Sequence, residues 1–129
     1  MYRLDVDKQQ ALVDIVLDGS LRQEEMRKLG LELKSIIRKL AGRDIKVRAD
    51  MRTLRASSPE VAEQMGDVLR FALRHGVKRM AELVTSPLVK LQLNRLARES
   101  GAEKILRQFG DDQTARQWLF QTEGTALSA

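Results

Sequence analysis

A chain of 129 residues, 43% apolar and 32% charged, is long enough for one packed domain and too apolar to stay disordered. It has no cysteine, which excludes disulfides and thiolate metal sites, and no stretch approaches the ~18 apolar residues of a membrane helix. The net charge of +5 points to nucleic acid, an anionic surface or an acidic protein partner, while the N-terminal MYRLDVDKQQ lacks the apolar run of a signal peptide, so the expectation is a soluble, cytoplasmic protein.

Tyr2, Leu4 and Val6 alternate with Arg3, Asp5 and Asp7, the period of a half-buried strand. Asp7-Lys8-Gln9-Gln10 is turn-like. Ala11, Val13, Ile15 and Leu17 alternate again, with Leu12 and Val16 making the second face apolar too. These segments form an N-terminal hairpin whose second strand is the more buried. Ser20, three residues before Gln23, reads as a capping box opening a helix. Met26, Leu29, Leu33, Ile36, Ile37 and Leu40 give it one buried stripe, and Gly42 suits a left-handed stop. Ile45, Val47, Ala49 and Met51 mark a third strand.

The next helix has two competing starts. Ser57 with Glu60 forms a capping box; Ser58 with Pro59 at the first helical position is the alternative register. Val61, Met65, Val68, Leu69 and Ala72 form its stripe, and Gly76 ends it. Val77 to Val84 is a fourth strand. Ser86 and Pro87 then start a third helix carried by Leu88, Leu91, Leu93, Leu96 and Ala97 to Gly101. Ile105, Leu106 and Phe109 mark a short fifth strand, and Gly110-Asp111-Asp112 caps a last helix that buries Ala115, Trp118 and Leu119. The expected fold is α/β: a mixed, mostly parallel five-stranded sheet with about four helices, built as one domain over 1–121 with a loose tail over 122–129.

Enzyme constellations are scarce. The single histidine, His75, stands beside Gly76 at a helix end, where a cation is favoured for electrostatic reasons. No glycine-rich phosphate loop occurs. Glu24-Glu25 and Asp111-Asp112 coincide with helix starts, where acids belong. No catalytic residue, metal or cofactor is expected. In a parallel sheet, ligands and partners gather at the carboxyl ends of strands and the helix starts that follow. Asp50, Ser57, Ser58, Thr85, Ser86, Asp111 and Asp112 fall on that edge. Exposed hydroxyls beside free N–H groups suit a phosphate, bound or attached, although each residue is also an ordinary cap.

The basic surplus has places too. Residues 21–50 carry nine Lys/Arg against five Asp/Glu, and residues 69–108 nine against three. Lys78, Arg79, Lys90, Arg95 and Arg98 are candidates for a basic docking face. Stacking aromatics are few, so nucleic acid is disfavoured against an acidic protein partner.

The order of elements resembles the STAS, or SpoIIAA-like, superfamily of anti-sigma-factor antagonists, over roughly residues 2–120. Lys46-Val47-Arg48-Ala49-Asp50-Met51-Arg52-Thr53-Leu54 is similar to that family's central strand, and Ala56-Ser57-Ser58-Pro59 falls near its phosphorylatable serine. Well-studied members have Asp-Ser-Ser-Gly there; Ala56 and Pro59 replace the first and last of these. The resemblance implies a non-enzymatic regulatory module that binds a kinase-like or scaffold protein and is switched by phosphorylation near Ser57-Ser58. The alternative it leaves open is a SEC14-like domain binding a lipid-like molecule or an anion. A homodimer is common for such small domains, and no residue demands one.

Overall fold

The computed structural model describes residues 1–121; the tail expected over 122–129 lies outside them. Strands β1 (Tyr2–Asp7) and β2 (Leu12–Gly19) form the N-terminal hairpin, antiparallel from Tyr2 opposite Leu17 to Asp7 opposite Leu12. In β1 the charged residues are exposed and Tyr2, Leu4 and Val6 half-buried, as period two requires. Ala11 is not the first residue of β2. It sits in the turn with φ of 53°, buried, where a larger side chain would fit poorly.

Helix α1 spans Gln23–Lys39, and the expected Ser20 cap does not form. Leu21 is buried, which keeps the chain in the core and delays the helix by two residues. Arg22 becomes the cap, and Glu25 accepts from its N–H at 3.1 Å. Met26, Leu29, Leu33 and Ile37 form the buried stripe as expected. Strand β3 (Ile45–Leu54) runs on past Met51 to Leu54. Helix α2 (Pro59–Arg74) takes the second of the two registers: Ser58 is the cap, its Oγ accepting from Val61 N at 3.2 Å, with Pro59 first in the helix. The Ser57–Glu60 box is therefore not made.

Strand β4 (Val77–Leu83) leads to α3 (Pro87–Ser100), capped by Ser86 and closed by Gly101 at φ of 79°. Leu88 and Leu91, counted among the apolar residues that carry this helix, are 64% and 68% exposed. The buried set is Val89, Leu93, Leu96 and Ala97, which share one face at the helical spacing. A short 3-10 turn (Ala102–Lys104) precedes β5 (Leu106–Phe109); Ile105, read as part of that strand, closes the turn instead. Helix α4 (Asp112–Leu119) ends the described chain.

The sheet order is β1-β2-β3-β4-β5, with every pair after the hairpin parallel. Such an unbroken order puts successive crossover helices on one face. Helices α1, α2 and α3 pack side by side there, over Ile15, Val47, Ala49, Met51 and Met80. The alternate residues Ala81 and Leu83 face the other way and meet Ala115 and Leu119 of α4 in a smaller cluster. No helix among the described residues is long and apolar enough to cross a membrane.

Candidate functional site: the strand-end rim around Ser57 and Ser58

The carboxyl end of β3 delivers the chain to the loop before α2. Ser57 is fastened there by a neighbour distant in sequence. Gln92 of α3 accepts from Ser57 N at 2.8 Å and donates through Nε2 to Ser57 O, also at 2.8 Å. The side-chain amide thus copies a strand partner and holds the loop against α3. Ser57 Oγ is buried and has no hydrogen-bond partner. Ser58 is exposed and supplies the helix cap. Beneath the pair runs a groove between α2 and α3 whose floor is small, at Ala62 and Gly66, and whose walls carry Arg70 and Arg95. Arg70 pairs with Asp67 at 2.6 Å and Arg95 with Glu99 at 2.7 Å.

The other expected rim residues do not all converge on this loop. Ser86 caps α3, its Oγ 3.4 Å from Val89 N, and Thr85 is exposed beside it. Asp111 caps α4 by accepting from Thr114 N at 2.9 Å; that bond holds its carboxyl below the usual range. Asp50 is turned to the α4 face of the sheet. It accepts from Arg52 Nη2 at 2.8 Å, and this contact lowers its pKa despite the opposing effect of burial. Strand periodicity explains the separation: Ala49 and Met51 face the helix layer, so Asp50 cannot.

Asp50 instead joins an ion-pair network centred on Arg48, whose guanidinium lies 2.7 Å from Asp14 and 2.6 Å from Asp112. Arg116 pairs with Asp112 at 2.9 Å. Burial works to raise the Asp112 carboxyl, but the Arg48 and Arg116 contacts outweigh it and leave the pKa lowered. The network ties α4 to β2 and β3 and carries as many acids as guanidiniums.

The basic candidates divide between two places. Lys90, Arg95 and Arg98 are exposed on α3. Lys78 and Arg79 lie at the start of β4, in a cleft with Lys46 and Phe120. There Arg79 donates to the carbonyls of Trp118 and of Gln121, the latter at 2.7 Å, and so fastens the end of α4. His75 stacks on Phe71 with ring centroids 3.8 Å apart and donates from Nδ1 to the Phe71 carbonyl. Among the described residues no three His, Asp or Glu side chains are grouped to hold a metal ion.

Known structures share this fold. An uncharacterised DUF3478-family protein with a SpoIIAA-like fold, from Shewanella loihica PV-4, superposes with a TM-score of 0.68 at 18% identity over 92% of this chain and 93% of its own. The fold is SpoIIAA-like. An anti-sigma factor antagonist from Mycobacterium paratuberculosis shares this SpoIIAA-like fold at a TM-score of 0.62 and 7% identity, over 94% of this chain and 96% of its own. The Bacillus cell fate determinant SpoIIAA, in its phosphorylated form, matches at 0.61 and 16% identity, over 92% and 99%. No family model matches the sequence. No curated protein matches it either.

Three features of this SpoIIAA-like domain went unread in the sequence. Gln92 looks like any polar helix residue, and only the folded chain brings it to Ser57. Arg48 stands two residues from Asp50, so the shared face of the pair was legible; the acids from β2 and α4 that complete the network were not. Glu82 is 2% exposed in the middle of β4. Its signal was available: a carboxylate inside Met80-Ala81-Glu82-Leu83-Val84 has nowhere to go if both faces of that strand are covered.

Proposed function

We propose that this protein is a regulatory interaction module with no catalytic step of its own, docked by a protein partner, kinase-like or scaffold, over the Ser57-Ser58 loop and the exposed face of α2. The observation that carries the reading is the loop itself. It is presented at a helix start on the rim of the sheet and held in one shape by Gln92, with Ser58 exposed. A fixed shape costs a visiting partner little ordering entropy. A phosphate added at the N-terminus of α2 would meet the positive end of the helix and change the docking surface without refolding the domain. The exposed Lys90, Arg95 and Arg98 extend that surface along α3 toward an acidic partner. The SpoIIAA-like neighbours support this reading, since one is an anti-sigma factor antagonist and another was captured phosphorylated.

Affinity capture from native lysate tests it. The wild type should retain a partner that Ser58→Asp loses or binds at least ~tenfold more weakly. Equal recovery by wild type, Ser57→Asp and Ser58→Asp would overturn the switch.

A further inference from the structure

Between the sheet and the layer of α1, α2 and α3 lies a cavity of about 70 Å³. That is about half of a ~150 Å³ apolar cavity that takes up benzene, so roughly three non-hydrogen atoms fit. Its walls are aliphatic, and they include Met26, Met51, Met65 and Met80. The chain has five methionines, so all but Met1 are spent here. Methionine is unbranched and polarisable, which makes such walls adjustable to a guest. Among the lining residues one alone is charged: Glu82.

Glu82 is the chemical anomaly of the core. It accepts one side-chain hydrogen bond, a long one of 3.3 Å from Gln108 Nε2, and no cation is paired with it among the described residues. Burial pushes its carboxyl up to about 7, the signature of a charge with too little around it. The other buried charged residue among those described, Arg48 on the opposite face, has two carboxylates within 3 Å. Gln108 also borders a surface cleft with Asn94, Arg98 and Leu106. One amide side chain on the short edge strand β5 therefore stands between solvent and the Glu82 carboxyl.

We propose that this cavity is a binding site for a small primary amine, its ammonium on Glu82 and its short aliphatic tail among the four methionines, entering past Gln108. An ammonium supplies the missing cation, and a tail of one or two carbons suits the volume. Neither a lipid chain nor an anion meets both conditions. The site is separate from the Ser57-Ser58 loop and does not rest on the reading of that loop. Met51 and Met65 belong to β3 and α2, the two elements that flank the loop.

The test uses the full chain labelled with ¹³C at the methionine methyls, with ethylamine, ethanol and xenon as probes at neutral pH. The four core methyls should shift saturably with ethylamine while the Met1 methyl, on an exposed residue, stays still. Glu82→Leu and the isosteric Glu82→Gln both remove a poorly paired buried charge, so both should fold. Each should weaken ethylamine at least ~tenfold while xenon still perturbs the methyls. The proposal fails if no saturable shift appears up to ~10 mM amine, if the variants bind ethylamine as the wild type does, or if ethanol binds as tightly as the amine.

Discussion

Glu82 is the residue on which stability should turn with pH. Its folded carboxyl titrates at about 7 against an ordinary value of 4.5. The folded state therefore holds a proton that the unfolded state gives up earlier. Stability from this group is intact below pH 4.5 and declines as pH rises through about 7, by about 3 kcal/mol in all. Glu82→Gln cannot lose that proton. Urea unfolding should find the variant close to wild type at pH 5 and more stable by about 2–3 kcal/mol at pH 8. A difference that is the same at both pH values would show that folding leaves the pKa of this carboxyl unshifted.

Single residues also mark where sequence reading stopped. Ser58-Pro59 and Ser86-Pro87 were legible as helix starts because each side chain serves the backbone next to it. Gln92, Asp14 and Asp112 serve groups far along the chain, and no local pattern announces them. The exposure of Leu88 and Leu91 was missed for a related reason: α3 offers more leucines than one stripe can bury, and the face docked on the sheet and α2, through Val89, Leu93 and Leu96, leaves these two outside.

Among the elements, α2 and α3 carry the contrast between tolerated and required glycine. Gly66 lies inside α2 with helical backbone, and a Cβ there would come no closer than 3.6 Å to any neighbour, the Arg70 guanidinium. Gly66→Ala should stabilise the domain by about 0.5–1 kcal/mol, the usual helix-interior gain. Gly101 ends α3 at φ of 79° with Leu73 3.5 Å from the same point, so Gly101→Ala should cost about 1 kcal/mol. Thermal melts of the two variants should move in opposite directions. At this scale the five strands and four helices, and their order, were readable from period and capping. Their bounds shifted by up to three residues wherever burial overrode propensity, as at Leu21 before α1 and along β3.

For the whole molecule, acidic and basic losses bracket a stability maximum. Asp50 and Asp112 have lowered pKa values in the fold, so their contribution is present above their ordinary value of 3.8 and is lost as pH falls below it. Glu82 acts in the reverse sense and subtracts stability above 4.5. Stability should therefore peak at about pH 5, well below the sequence pI of 9.9. Unfolding free energies measured from pH 3 to 9 check this, and a maximum above pH 7 would contradict it. In Glu82→Gln the basic limb should flatten while the acidic limb stays.

The hold of Gln92 on Ser57 reaches beyond the loop it fixes. Because the two bonds cross from one crossover helix to the next, the approach to α2 and the body of α3 are laced together at the rim. Anything that peels Ser57 outward must undo both bonds. The latch is a modest one, on the order of 2 kcal/mol for the pair, which a docking partner can offset.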